Sequence, residues 1–266
     1  MSMDIELLDT NKKNGRVLFL LSGANPTIAN LLRRLIIAEV PVMAIEDVEF
    51  RKNSSVMYDE MIAHRLGLVP LKTDLKGYTP ISECTCEGAS CAKCSVKLIL
   101  KAKAGSNGYV YAEQLESADP KVVPVHSNMP IAKLLKGQAL EFEATAVLGK
   151  GKVHAKWSPA LAYYRVKPDV KITGKIDNAE KLMKSYPGMF TSKGGKIEVV
   201  PDALHTSVLW GEVAEITDGA VTVTESMEEF LFSIESWGQL KAKDIVQAAV
   251  DAFDAKLDAL AAALKA

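Results

Sequence analysis

The sequence has no surplus of either charge. Its 32 Lys and Arg against 33 Asp and Glu leave a net charge of −1, and the sequence pI is near 6.5. A protein that grips nucleic acid through its own surface carries a basic excess or a basic stripe, so direct specific nucleic-acid binding is not expected. Nor is there an apolar run approaching the about 18 residues of a membrane span. Residues 1–15 mix charges and hold no apolar signal core, so no membrane partner and a cytoplasmic location are the expectations. The four cysteines, Cys84, Cys86, Cys91 and Cys94, all lie within eleven residues. That clustering argues against a disulfide framework spread over the fold and for a local metal site. Histidine is sparse and scattered, at positions 64, 126, 154 and 205. G-x-S-x-G is absent, and Asp59 and Glu60 are neighbours on a helix whose side chains point apart. No general acid–base pair and no Asp triad for magnesium is legible, so no catalytic residue is expected.

What is present fits a folded chain of 266 residues, 48% hydrophobic and 24% charged, enough for one large domain or two to three small ones. The most strongly marked stretch is Asn25 to Glu39. Asn25 suits an N-cap, Pro26 fits the first helical position, and Pro41 stops the helix just past Val40. Ile28, Leu31, Leu32, Leu35 and Ile36 recur at helical spacing on one face. Arg33 and Arg34 sit mid-helix, either as solvated arginines or as a contact.

Around this helix, 3–8 and 16–22 read as a hairpin across the turn Asn11 to Gly15, and 44–52 as a strand. A helix is expected over 58–66, ended by Gly67 and Pro70. Residues 95–102 and 109–112 look like a strand pair across Gly105 to Gly108. Further strands are expected at 121–125, 140–148 and 163–172, and a helical turn at 130–135. Gly149-Lys150-Gly151-Lys152 has a superficial phosphate-loop look but lacks G-x4-G-K-[S/T], and reads as a hairpin turn. Trp157 beyond it reads as core or interface packing. Residues 173–224 repeat a helix–turn–strand unit: helix 178–185, strand 196–200, helix 204–215, strand 221–224. A strand at 230–235 precedes a long helix over 240–264. Its apolar positions, including Val246, Val250, Phe253, Leu257 and Leu260, have nearly heptad spacing. Such a seam packs either on the chain's own sheet or on a helix of a partner.

The cysteines read C-x-C-x4-C-x2-C. Two close pairs joined by a Gly-containing turn can wrap one zinc ion in a closed, four-thiolate structural site. An iron–sulfur cluster and free or disulfide-paired cysteines are the alternatives.

The wording NPTIANLLRRLIIAEVPVMAIEDVEF, followed by NSSVMYDEMIAHRLGLVPLKTD, resembles the alpha-like D subunit of archaeal RNA polymerase. That protein is the counterpart of the third-largest subunit of eukaryotic RNA polymerase II and of the N-terminal domain of bacterial alpha. The resemblance implies an α+β fold with a discontinuous dimerisation domain, residues 1–45 joined to 225–266. Between them would lie an inserted, mainly β domain (46–172) with the cysteine loop, and a ferredoxin-like insert (173–224). It implies a non-catalytic scaffold that pairs with a small alpha-like subunit, L, through Ile28, Leu31, Leu32, Leu35, Val246, Val250, Phe253, Leu257 and Leu260. The pair forms the platform for the second-largest and largest subunits of a nucleotidyltransferase, with Arg33 and Arg34 against the second-largest. The eukaryotic counterpart carries a zinc loop of similar spacing. Some archaeal relatives carry C-x2-C-x2-C-x3-C-P in the insert. Here that frame falls on Ile176, Ala179, Leu182 and Tyr186, then Pro187, and a second on Leu204, Ser207, Trp210 and Ala214. No cysteine stands at any of them, so no iron–sulfur cluster is expected in 173–224. The competing readings are an unrelated α/β insert and, for the whole chain, a metal- or redox-linked protein using Cys84–Cys94.

Overall fold

The computed structural model describes residues 3–11, 13–174, 176, 178–193 and 196–265. In chain order the first elements are strands β1 (Asp4–Asn11) and β2 (Arg16–Ser22), helix α1 (Pro26–Ala38), strand β3 (Pro41–Asn53) and helix α2 (Asp59–Gly67). Strands β4 (Ser95–Lys103), β5 (Gly108–Tyr111), β6 (Glu116–Ser117), β7 (Pro130–Leu134), β8 (Ala139–Lys150) and β9 (Ala160–Ile172) follow. Helix α3 (Ala179–Ser185), strands β10 (Phe190–Lys193) and β11 (Lys196–Val199), and helices α4 (Pro201–Thr206) and α5 (Trp210–Ile216) come next. Strand β12 (Val221–Ser236) and helix α6 (Ala242–Ala263) close the chain. This is a mixed α+β architecture with antiparallel sheets, and no described helix is long and apolar enough to cross a membrane.

The chain divides into two compact units. The first comprises residues 1–10, 17–31 and 163–233. Its four-stranded sheet has the order β1-β2-β12-β9. Leu18, Phe19, Leu20 and Leu21 of β2 are all buried, so neither face of the strand's centre meets water. Phe19 stacks on Phe232 at 5.2 Å, and Tyr164 meets the rings of Phe230 and Phe232 at 5.6 and 5.3 Å. The same unit holds a second core of Leu182, Tyr186, Met189, Phe190, Trp210, Val213 and Val221 under α3, α4, α5 and the β10–β11 hairpin.

The second unit comprises residues 11–16, 32–162 and 234–266. Its sheet has the order β3-β8-β4-β6, beside the β5–β7 pair. β8 alternates as its sequence does: Leu140, Phe142, Ala144 and Ala146 are buried, while Glu141, Glu143 and Thr145 are less so. Its partners match this register, with Leu98 opposite Ala144 and Leu100 opposite Phe142. Helix α2 buries Ile62 and Leu66 in this core. Arg65 fastens it to β7, donating from Nε to the Ile131 carbonyl at 2.9 Å and from Nη2 to that of Pro130 at 2.6 Å.

The structure differs from several sequence expectations. β4 and β5 do not pair with each other; β4 pairs with β8 and β6, and β5 with β7. Residues 130–134 are a strand, not the helical turn that their spacing predicts, because Ile131, Ala132 and Leu134 are drawn into the core beside Val110 of β5. Residues 121–125 make no strand of their own, only a bridge between Pro124 and Leu71. The helix expected over 204–215 is two, α4 and α5. Ser207 turns extended, and Arg165 takes up the carbonyls of His205 and Ser207. The strands at 221–224 and 230–235 are one continuous β12. The turn expected from Asn11 to Gly15 includes Lys12, which lies outside the described residues.

Candidate functional site

The cysteine loop leaves the fold after Thr79 and returns at β4, its neck closed by a bond from the Thr79 N–H to the Lys93 carbonyl (2.9 Å). Inside it, tight turns bring Ala89 N to Cys86 O and Cys94 N to Cys91 O, each at 3.0 Å. Glu87, Gly88 and Ser90 all take positive φ (49, 91 and 53°), which curls the link between the two cysteine pairs back on itself. All four thiols are thereby drawn within 4.8 Å of one another. Cys84 and Cys91 Sγ are 3.6 Å apart, Cys86 and Cys94 also 3.6 Å, and Cys91 and Cys94 3.9 Å. A tetrahedron with metal–sulfur bonds of about 2.3 Å has edges of about 3.8 Å, so the set matches the ligand shell of one tetrahedral ion. All four are free thiols, Cys94 buried and the others half-buried. The hydrogen bond with the Cys84 thiol pulls the Cys86 pKa down to about 6, while burial pushes that of Cys94 up to about 12. Among the described residues this is the only group of His, Cys, Asp or Glu side chains close enough to hold a metal ion.

The two helices with apolar seams are set up as their sequences dictate. Asn25 Oδ1 accepts the Ile28 N–H at 2.9 Å and its carbonyl accepts from Ala29 N at 3.0 Å, the cap that starts α1. Along α1, Leu35 is buried, Leu31 and Leu32 are half-buried, and Ile28 is exposed. Arg33 is half-buried and holds an interaction of its own, while Arg34 is exposed. Along α6, Ile245 and Ala249 are buried and Val246 and Phe253 half-buried. Val250, Leu257, Leu260 and Leu264 are 42, 47, 57 and 79% exposed, and every residue from Asp254 to Lys265 lies open.

The loop of residues 149–152 is shaped by packing against Trp157 and the end of α1. Gly149 makes room for the Trp157 indole, since a Cβ there would stand 2.3 Å from the ring. The indole is buried, with Nε1 donating to the Val147 carbonyl at 3.3 Å and Lys156 Nζ 4.4 Å from the ring centroid. Sequence reasoning missed a cluster around Glu39, a nearly buried carboxylate that pairs with Lys256 at 2.7 Å. One signal was available: an acid at the C-terminal end of a helix faces the negative end of the dipole and needs a cation nearby.

Comparison with known proteins agrees with this anatomy. Residues 47–161 match the RNA polymerase Rpb3/RpoA insert domain. Across the whole chain, the DNA-directed RNA polymerase subunit Rpo3 of Methanosphaera stadtmanae is 36% identical over 263 residues, covering 96% of both chains. That of Methanosarcina acetivorans is 35% identical over 270 residues, covering 99% of each. That of Pyrococcus horikoshii is 36% identical over 248 residues, covering 93% of each. With this identity sustained over nearly its whole length, the chain belongs to the archaeal Rpo3 family, the alpha-like D subunits of DNA-directed RNA polymerase.

Proposed function

We infer that the chain is a non-catalytic assembly subunit of a DNA-dependent RNA polymerase. It pairs with a small alpha-like subunit, L, and the heterodimer forms the platform on which the two large catalytic subunits assemble. The observation that carries this reading is α6 beyond Ala249: Val250, Leu257 and Leu260, with Leu264 at the C-cap, are apolar and exposed. Each such side chain, once covered, stabilises an interface by about 1.5–3 kcal/mol, so a handful decide assembly. Ile28, Leu31, Leu32 and Leu35 of α1, with Val246 and Phe253 of α6, complete the candidate contact. The dimerisation domain is residues 1–45 with 225–266, around the inserts 46–172 and 173–224. The match over 47–161 supports the first insert boundary. Nucleotidyl transfer itself belongs to the large subunits in this reading.

The four thiols hold one zinc ion as a structural cross-link. The closeness of their sulfurs, all within 4.8 Å of one another, favours a single ion; an iron–sulfur cluster spreads its thiolates over several irons. Bound zinc would order a loop that buries almost nothing else. In the 173–224 insert, the frame positions Ile176, Leu182, Tyr186, Leu204 and Trp210 share one apolar core, which supports a ferredoxin-like domain whose cluster volume is filled by side chains.

The test is a gentle affinity purification of the native chain with mass spectrometry of what accompanies it. A small alpha-like protein in equal amount, with two very large subunits, is expected. A lone, monodisperse chain overturns the reading. Arg33 and Arg34 carry the contact to the second-largest subunit, where a guanidinium fork can clamp a carboxylate. Arg33→Ala and Arg34→Ala should leave the heterodimer intact and weaken assembly of the larger enzyme. Normal assembly of both variants removes that role.

A further inference from the structure

Glu39 sits where a carboxylate is disfavoured. Its N–H bonds to the Leu35 carbonyl at 2.9 Å, so it continues α1 and stands at the negative end of the helix dipole. It is also only 8% exposed. Three lysines from two distant parts of the chain compensate. Lys256 Nζ of α6 donates to Oε1 at 2.7 Å, Lys150 Nζ at the end of β8 lies 3.8 Å from Oε2, and the charge of Lys152 acts in the same direction. Burial pushes the Glu39 pKa up, and the three lysines, Lys256 foremost, outweigh burial and hold it below its ordinary value.

Both loop lysines are delivered by a glycine. Gly151 lies so close to the end of α1 that a Cβ would stand 2.0 Å from the Ile37 carbonyl oxygen. Lys152 N donates to the Ala38 carbonyl at 2.9 Å. The Gly-Lys-Gly-Lys stretch is thus a cradle for the C-terminus of α1 and its acid.

On α6, Lys256 marks a boundary. At about 100° per residue it falls on the line of Ile245 and Ala249, the buried side of the helix. Val250 and Leu257 lie about a third of a turn away, on the open side. The last buried residue is Ala249, and from Asp254 onward the helix is exposed. Lys256 therefore ties down a part of the helix that apolar packing no longer holds.

We propose that Glu39 is a positioning residue: by holding Lys256 against the lysine loop after β8, it aims the outward pair Val250 and Leu257 at the small alpha-like partner. This rests on the partner reading above. A free helix end samples many directions, and the apparent affinity falls by the fraction of time it spends away from the competent one.

The experiment uses the full-length chain, wild type and carrying Lys256→Ala, Lys256→Arg or Glu39→Gln. Each is titrated with purified small alpha-like subunit, and amide exchange of residues 250–263 is followed in the free chain. Lys256→Ala and Glu39→Gln are expected to raise Kd about three- to tenfold and to speed exchange there, with the far-ultraviolet spectrum and melting of Lys256→Ala unchanged. Lys256→Arg, which keeps the ion pair, should stay within about twofold of wild type. Wild-type affinity for Lys256→Ala overturns the proposal, whether or not exchange speeds up. A wild-type chain that fails to bind overturns the partner reading itself, recognisably because that failure does not depend on Lys256.

Discussion

The cysteine loop and the segment carrying α3 to α5 order their chain by opposite means. Between Thr79 and Cys94 one side chain, Cys94 itself, is buried, and the loop's shape comes from tight turns and four converging sulfurs. Between Ala179 and Val221, Leu182, Tyr186, Met189, Phe190, Trp210 and Val213 form a core around which short helices and a hairpin close. The Trp210 indole donates to the Ala203 carbonyl at 3.3 Å and meets the Phe190 ring edge-on at 5.7 Å. Apolar burial needs no ligand, whereas a thiol cage is only as stable as the ion it holds. If the insert descends from a cluster-bearing module, its apolar frame shows the second strategy exchanged for the first.

The strongest way to break this contrast is to remove the zinc proposed for the loop. Stripping the protein with a chelator, or replacing Cys94 by Ser, should abolish amide protection across residues 84–95 while leaving residues 179–221 as they were. Structural zinc contributes on the order of 10 kcal/mol to a small site, so the loop has nothing of similar size to fall back on. Exchange in 84–95 that is indifferent to chelator would mean the turns alone order the loop, and the zinc assignment would go.

The converse experiment is smaller. Trp210→Ala leaves a large cavity in the α3–α5 core and should destabilise that segment by about 3–5 kcal/mol, read as faster exchange across 179–221. Metal content and the exchange of residues 84–95 should not change. Loss of metal on this substitution would show the two regions to be one cooperative structure.

Which of these features can be read from sequence follows from the range of the interactions involved. Asn25 and Pro26 start α1 and Pro41 follows it, all through contacts within a few residues, and the helix stands where they place it. The thiol spacing C-x-C-x4-C-x2-C is local too, and the sulfurs meet. The expected β4–β5 hairpin misleads because Gly105 to Gly108 is a good turn, yet Val96, Leu98 and Leu100 pair with Ala146, Ala144 and Phe142 of β8, far along the chain. Ile131 and Leu134 have helical spacing, and only the core that receives them makes them a strand. The Glu39 cluster joins the end of α1, the end of β8 and the middle of α6; no local rule links three such positions.

The subtlest probe is acid, because the base of the cysteine loop leans on carboxylates. Tyr78, next to the loop, donates from its hydroxyl to Asp119 Oδ2 at 2.5 Å. Asp74 accepts from Lys121 Nζ at 2.9 Å and from the backbone N–H groups of Lys76 and Gly77. The Tyr78 bond holds the Asp119 pKa below its usual 3.8, and the Lys121 bond does the same for Asp74. A carboxylate whose pKa is lower folded than unfolded contributes stability above the unfolded value and loses it as pH falls through the folded one. This support is therefore complete at neutral pH and fades only below about pH 4. Both groups are half-buried and still reached by solvent, so each contributes modestly. Amide exchange around residues 74–79 and 117–121, corrected for its intrinsic pH dependence, should rise as pH falls below about 4. Asp119→Asn, which cannot be ionised, should flatten the part of that rise owed to Asp119. A rise of the same size in the Asn variant would show that the Tyr78 hydroxyl does not depend on the charge it faces.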